Sequence, residues 1–306
     1  MTPRAAARSV GDRAHREAVI ESPFVGSEAL AAGLITERAM RRLCQAVYPN
    51  IYMSRDIELT AQQRAHAAWL WSKRRGVLAG ASAAAVLGSK WIDGSAPAEL
   101  LHDNRRPPAN LIVRSERVLT DELLVVQGMR VTNPARTAFD LGRHIKARVT
   151  AVQRLDALAN ATDVKHADIE VLIAAHPGAR GLPRLRKVLP LIDGGAESPQ
   201  ETLARLVLID RGLPRPKTQF RVFDEYGQFV ARLDMAYDDV KVGIEYDGKQ
   251  HWDDPAVRQG DIEKQFRLHE LGWLIIRVSR DLLRYRRAVY VGRVADALHA
   301  RGGLSS

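Results

Sequence analysis

Cysteine is nearly missing from this chain of 306 residues, where Cys44 stands alone. One thiol can form no internal disulfide and supply no cysteine-based zinc cluster, and such scarcity suits a reducing compartment. Long apolar runs are missing too. The longest weakly apolar stretch, residues 77–88, falls far short of the roughly 20 residues that a bilayer-spanning helix needs. The opening MTPRAAARSVGDRAHREA is basic with no apolar segment behind it, so no secretory signal is expected. There is no internal repeat, phosphate-binding glycine loop or nucleophile–histidine constellation. These absences predict a cytoplasmic protein without membrane contact.

What is present is enough apolar material for ordinary cores, 46% of the residues, in a length that suits two or three domains. Positive charge is in surplus, and unevenly so. Residues 1–196 hold 28 Lys and Arg against 19 Asp and Glu, whereas residues 197–306 hold 18 against 17. A basic surplus confined to one part of the chain points to a polyanion partner, with nucleic acid first. An arginine-rich composition without functional meaning accounts for the charge equally well.

Residues 230–251, VARLDMAYDDVKVGIEYDGKQH, read as a β-hairpin that gathers carboxylates. Side chains alternate faces along a strand. Phe229, Ala231, Leu233 and Met235 point one way, and Val230, Arg232 and Asp234 the other. Val242, Ile244 and Tyr246 oppose Lys241, Glu245 and Asp247. With a short loop over residues 238–241, Tyr237 faces Val242, Met235 faces Ile244 and Leu233 faces Tyr246. This register sets Asp234 across from Glu245, with Cβ atoms roughly 4.5–5.5 Å apart, where like charges destabilise. A divalent cation between them would relieve the repulsion, since hard cations take carboxylate oxygens. The bland reading is two exposed charges on a hairpin edge.

Asp234 and, after ten intervening residues, Glu245-Tyr246-Asp247-Gly248 resemble the core of the PD-(D/E)XK nuclease superfamily, and most of all its very-short-patch-repair-like branch. The resemblance covers residues 197–301. A leading helix opens at Ser198-Pro199-Gln200-Glu201 and is followed by Gly212-Leu213-Pro214. Gln250-His251 come after the hairpin, then a helix with Asp261 and Lys264 that ends at Gly272-Trp273, then a strand over 274–278. It implies a restriction-endonuclease-like α/β domain with a mixed central sheet. It also implies Mg²⁺ or Mn²⁺ held by Asp234 and Glu245, and hydrolysis of phosphodiester bonds in DNA. Two positions depart from the pattern. Asp247 stands where the superfamily carries its lysine, and Lys264 stands where relatives tend to carry arginine.

The catalytic candidates are therefore Asp234, Glu245, Asp247, Glu201, His251 and Lys249. Asp247 could be a third ligand. Lys249 could swing back to replace the missing lysine, with plain solvation the commoner fate. His251 titrates near neutrality, though such histidines are often merely packed. Glu201 also completes a Ser-x-x-Glu capping box, which explains it without chemistry. Asp261 and Lys264, at i,i+3, form a salt bridge by default.

Nearer the N-terminus, residues 12–20 read as a helix. Ser27 is expected to cap a helix over 28–32 that stops at Gly33, and Thr36 to cap a second running to about Val47. Ala39, Met40, Leu43, Cys44 and Val47 form its apolar stripe. Arg38, Arg41, Arg42 and Gln45 face outward as candidate DNA contacts. A turn at Tyr48-Pro49-Asn50 enters a strand, with Asn50 in a position that tolerates a left-handed backbone. Helix, turn, helix and wing give a winged helix-turn-helix, similar to the N-terminal region of the AbiEi-type antitoxin family. The alternative is a helical hairpin with a solvated arginine face.

Residues 59–193 resemble the second region of that antitoxin family, through Ala79-Gly80-Ala81-Ser82-Ala83-Ala84 on one helix and Val131-Thr132-Asn133-Pro134-Ala135-Arg136-Thr137 ahead of another. Arg136 could grip a phosphate or pair with Asp140 one turn on. Residues 111–113 and 123–126 read as strands, 150–159 and 168–175 as helices, and Gly194-Gly195 as a linker. The organisation expected is a multidomain α/β chain. It comprises a winged helix-turn-helix over 1–58, a helix-rich middle domain over 59–195 and a restriction-endonuclease-like domain over 196–306. The function expected is a DNA endonuclease targeted by its winged helix. The alternative is a DNA-binding transcription regulator or antitoxin with an inactive nuclease-like domain, and a toxin-like protein as partner.

Overall fold

The computed structural model describes residues 21–104, 106–247 and 255–304. The helix expected over 12–20, and the candidates Lys249 and His251, lie outside them. The described residues pack as two units. One holds those up to 144 together with 161–185, the other 145–160 together with 186–304. Gly194 and Gly195 lie inside the second unit as a packed turn rather than a spacer. A Cβ on Gly195 would stand 2.1 Å from the Thr218 hydroxyl.

The first unit opens with β1 (Phe24–Val25), α1 (Gly26–Ala31), α2 (Glu37–Leu43), β2 (Cys44–Tyr48) and β3 (Ile51–Ser54), the strands forming an antiparallel sheet in the order β1-β3-β2. Thr36 caps α2 as expected, its hydroxyl accepting from the Ala39 amide at 3.2 Å. Ser27 does not cap α1, which already starts at Gly26. Its amide instead donates to Asn50 Oδ1 at 3.0 Å and its hydroxyl accepts from Asn50 Nδ2 at 2.9 Å. Asn50 adopts the left-handed conformation, with φ 61°.

The second helix is shorter than its sequence pattern suggests. It stops at Leu43, and Cys44 is extended at φ −113°, ψ 155°. Cys44 and Tyr48 are buried, and Tyr48 donates its hydroxyl to the Asn110 carbonyl at 3.0 Å. Burying both residues suits the hairpin, so strand wins over helix here, and Gln45 stands on β2.

There follow α3 (Ala61–Trp71), β4 (Val77–Leu78), α4 (Gly80–Val86), β5 (Ala98–Leu101), β6 (Leu111–Arg114), β7 (Leu123–Val126), β8 (Met129–Thr132) and α5 (Pro134–His144). The five strands make one mixed sheet in the order β6-β5-β4-β8-β7. The middle region is thus built around a sheet as well as helices. Of its strands, β4 has only two residues, too few for a period-two pattern to register. Further on come α6 (Arg148–Ala161), α7 (His166–Ala175) and α8 (Leu182–Val188).

The second unit continues with α9 (Pro199–Asp210), β9 (Lys217–Phe223), β10 (Phe229–Tyr237), β11 (Val242–Asp247), α10 (Pro255–Glu270), β12 (Leu274–Ser279), α11 (Arg280–Tyr285) and α12 (Arg287–Ala300). Its sheet runs β12-β11-β10-β9, with β11 and β12 parallel and the other pairs antiparallel. Met235, Tyr237, Val242 and Ile244 pack with Leu208, Tyr290, Val294 and Leu298. Ala231 and Leu233 pack with Leu268 and Trp273.

One buried ion pair ties α9 to α6. Arg205 and Asp156 are both inaccessible, and Arg205 donates to Asp156 at 2.7 Å. Asp156 also accepts from the Thr202 hydroxyl and the Asp193 amide, each at 2.8 Å. Burial pushes the Asp156 carboxyl up to about 6, against the pull of Arg205. Arg205→Met should destabilise the protein by about 3–5 kcal/mol, because it strands a buried carboxylate. Adding Asp156→Leu should recover much of that. Chemical denaturation of the single and double variants checks this, and a double variant no more stable than the single would refute it.

Candidate functional site

The register expected for β10 and β11 is observed over Met235–Tyr237, with Met235 opposite Ile244 and Tyr237 opposite Val242, whereas the expected pairs Leu233 with Tyr246 and Asp234 with Glu245 are not ladder partners. Beyond Met235 the ladder gives way to a side chain. Asp234 accepts the Tyr246 amide on Oδ2 at 2.7 Å. Burial pushes its carboxyl up to about 6, opposed by that amide and helped by the negative charges of Glu201 and Glu245, with Lys264 pulling the other way. Four groups from α9, β10, β11 and α10 are therefore within electrostatic reach of one another.

Glu245 accepts Lys264 Nζ at 2.8 Å. Lys264 also stands 3.5 Å from Asp261, the i,i+3 pair anticipated, while Asp261 is paired with Arg277 as well. From the sequence Lys264 reads as the i,i+3 partner of Asp261, at the helix position where relatives carry arginine, and the structure places its amine on Glu245 as well. Helix periodicity could not reveal this, because it depends on how α10 crosses the sheet.

Glu201 is buried on the first turn of α9. Its amide donates to Ser198 Oγ at 3.2 Å, the expected cap. Its carboxylate does not return to Ser198, as a full capping box would have it. It accepts instead from the Glu197 amide at 2.9 Å and from Gln219 Nε2 at 3.1 Å. Gln219, in the left-handed region at φ 50°, is a site neighbour that no sequence signal marked. Asp247 ends β11 opposite Ser279, and among the described residues no hydrogen bond or ion pair joins it to Asp234 or Glu245.

Asp234, Glu245 and Glu201 carry oxygen donors of the kind that a hard divalent cation takes, but the ligand atoms of the three do not all lie within 4.8 Å of one another. A second acidic group lies in the first unit. Glu116, Asp140 and His144 each bring a ligand atom within 4.8 Å of the others. There, however, the negative charge is already answered. Arg136 donates to Asp140 at 3.1 Å and also pairs with Glu122, and Arg143 donates to Asp140 at 2.8 Å and pairs with Glu116. Both guanidinium groups are buried, and both lie over the Phe139 ring. Arg136 is thus an internal ion-pair partner rather than a free phosphate grip.

The remaining candidates share one surface. Arg38, Arg41 and Arg42 are exposed on α2, and Gln45 is exposed at the start of β2. Arg41 pairs with Glu37 at 3.1 Å. Gln45 leans back onto the Ser54 carbonyl at 3.4 Å, which turns it from the groove-facing role given to it as a helical residue.

The raised Asp234 pKa has a definite consequence for stability. Its folded value of about 6 lies above the ordinary 3.8, so folding favours the protonated acid. Wild type should lose stability as pH rises from about 4 to about 6, relative to Asp234→Asn in chelator-treated buffer. The difference should approach 3 kcal/mol, at about 1.4 kcal/mol per pH unit. Thermal unfolding of both proteins from pH 4 to 8 reads it, and parallel curves would refute the assignment.

Residues 61–191 match the AbiEi antitoxin C-terminal domain. Two uncharacterized proteins of Mycobacterium tuberculosis, one from strain CDC 1551/Oshkosh and one from strain H37Rv, are each 34% identical to the chain over 193 residues, which is 63% of this chain and 70% of the relative. No helix among the described residues is long and apolar enough to cross a membrane. The chain belongs to the family of these mycobacterial proteins, and its residues 61–191 are similar to the AbiEi antitoxin C-terminal domain.

Proposed function

We propose that the protein is a DNA-binding regulator of the antitoxin type, with a toxin-like protein as its natural partner. The observation that carries this reading is the match of residues 61–191 to an antitoxin domain. The first residues support it. Two short helices joined by a turn and followed by an antiparallel hairpin suit a winged helix-turn-helix, and α2 offers three exposed arginines. Arg38 and Arg42 make no ion pair among the described residues, so their charge is available to phosphates; that of Arg41 is shared with Glu37. Phosphate contacts supply affinity and register. Arg38→Ala with Arg42→Ala should weaken duplex binding and lower the slope of log affinity against log salt by about one per lost contact. Fluorescence anisotropy across a salt series measures both, and an unchanged slope would remove α2 from the interface.

A second reading, metal-dependent cleavage of DNA, is favoured by the convergence of Glu201, Asp234, Glu245 and Lys264. The α-β-β-β-α-β order of α9 to β12 suits the restriction-endonuclease-like arrangement that the sequence resembles. Mg²⁺ or Mn²⁺ held by Asp234 and Glu245 would polarise a phosphoryl oxygen and activate water. Tyr246 fixes Asp234 through its amide, and Gln219 fixes Glu201. Lys264 carries its positive charge beside Glu245, where it would offset charge developing on a scissile phosphate.

Supercoiled plasmid incubated with Mg²⁺ or Mn²⁺ should be nicked by wild type. Chelator, Asp234→Ala and Glu245→Ala should each reduce this to background. Duplex binding retained by a wild type that cleaves nothing with either metal leaves the regulator reading alone standing.

A further inference from the structure

The turn between β9 and β10 carries three large aromatic side chains into solvent. Phe223 is 47% exposed, Phe229 50% and Tyr226 79%. Such exposure is costly unless something covers it. The two phenylalanines are paired in register across the hairpin, with ring centroids 6.0 Å apart in an edge-on arrangement. The Arg221 guanidinium lies 5.4 Å from one ring centroid and 5.3 Å from the other. Arg221 is exposed and has no acidic partner among the described residues.

The backbone explains how both rings reach one face. Alternation puts Phe229 with Ala231 and Leu233, which are buried against Leu268 and Trp273. The β9–β10 register shifts between Phe229 and Ala231. That irregularity turns Phe229 away from the buried side to join Phe223 and Arg221. The same face continues toward the carboxylates. Arg232, opposite Arg221, pairs with Glu197 at 2.9 Å, and Gln219 donates to Glu201. From the rings to Asp234 is about 15 Å along the strand, at roughly 3.3 Å per residue.

We propose that Phe223, Phe229 and Arg221 form a stacking platform for unpaired nucleobases, and that the substrate led to the carboxylate cluster is single-stranded nucleic acid. This rests on the cleavage reading for the identity of the neighbouring site. Bases offer flat π-faces, which edge-exposed rings and a guanidinium plane bind without regard to sequence. A free cation set among the rings places positive charge where the strand's phosphates would run. Asp224 does not cancel it, being held by Arg267 at 3.0 Å and by the amides of Tyr226 and Gln228 at 3.0 and 2.8 Å. Glu225 remains exposed at the tip, so the platform draws its strength from stacking more than from backbone attraction. Tyr226 extends the ring surface beyond the pair.

The test is anisotropy on the full chain in chelator, where no cutting occurs, with a labelled single strand and the blunt duplex of the same sequence as probes. Phe223→Ala with Phe229→Ala should weaken single-strand binding by about tenfold or more and leave duplex binding unchanged. Phe223→Trp with Phe229→Trp should retain it. Unchanged single-strand affinity in the alanine variant would overturn the platform, as would equal losses on both probes or capture of a protein partner that only the ring variants release. Plasmid nicking by Asp234→Ala is scored separately. Nicking that persists there refutes the metal site, whereas loss of single-strand binding speaks only to the rings.

Discussion

Burial makes the Asp234 carboxyl resist its own ionisation, the charges of Glu201 and Glu245 add to that resistance, and this constraint runs through the sheet of the second unit. Asp234 cannot swing away, because its oxygen takes the place of a ladder contact by accepting the Tyr246 amide. Glu201 and Glu245 add to the rise that burial causes in its pKa, and the Tyr246 amide and Lys264 oppose it. Arg277, on the neighbouring strand, is committed to Asp261. A carboxyl so placed is held toward its protonated form.

That arrangement is delivered by parts remote from it. Glu201 is positioned by α9, whose next turn carries Thr202 and Arg205 onto Asp156. Because Asp156 is buried, the helix cannot rotate without leaving a charge unanswered. Gln219 takes up a left-handed backbone that brings its amide onto Glu201. Lys264 arrives from the long helix α10, whose following turn buries Leu268 against Ala231 and Leu233. Three separate anchors thus hold Glu201 and Lys264 in place.

Much of this was legible from residues alone, and the reasons are local. The register of β10 on β11 followed from matching apolar positions, since a slip of one residue would have buried Arg232. The caps at Thr36 and Ser198, the stop at Gly33, where φ is +67°, and the pairing of Arg136 with Asp140 all depend on neighbours within a turn. What stayed hidden was set by contacts far apart in sequence. Lys264 read as the i,i+3 partner of Asp261, yet its nearer contact is Glu245, 19 residues away. Glu122, 14 residues before Arg136, gave no sign of their ion pair. The end of α2 at Leu43 was misjudged because Cys44 and Val47 fit a helical stripe as well as a strand. The choice was made by the hairpin, where Cys44 lies opposite Ser54. Phe229 escaped the alternation because of a register shift that composition does not announce.

The two charged clusters in the chain make an instructive pair. In the first unit Arg136 and Arg143 are interleaved with Glu116, Glu122 and Asp140, and burial still pushes the Asp140 carboxyl up to about 7 against the pull of Arg136. His144 completes it as a neutral ring, its pKa driven down to about 3 by burial and the nearby arginines. At Asp234 burial likewise raises the carboxyl, to about 6, with Glu201 and Glu245 adding to the rise and the Tyr246 amide and Lys264 opposing it. Both clusters look alike as strings of acidic and basic letters, and they differ in the partners that the fold brings to each acid: two buried guanidinium groups for Asp140, a backbone amide and a lysine for Asp234.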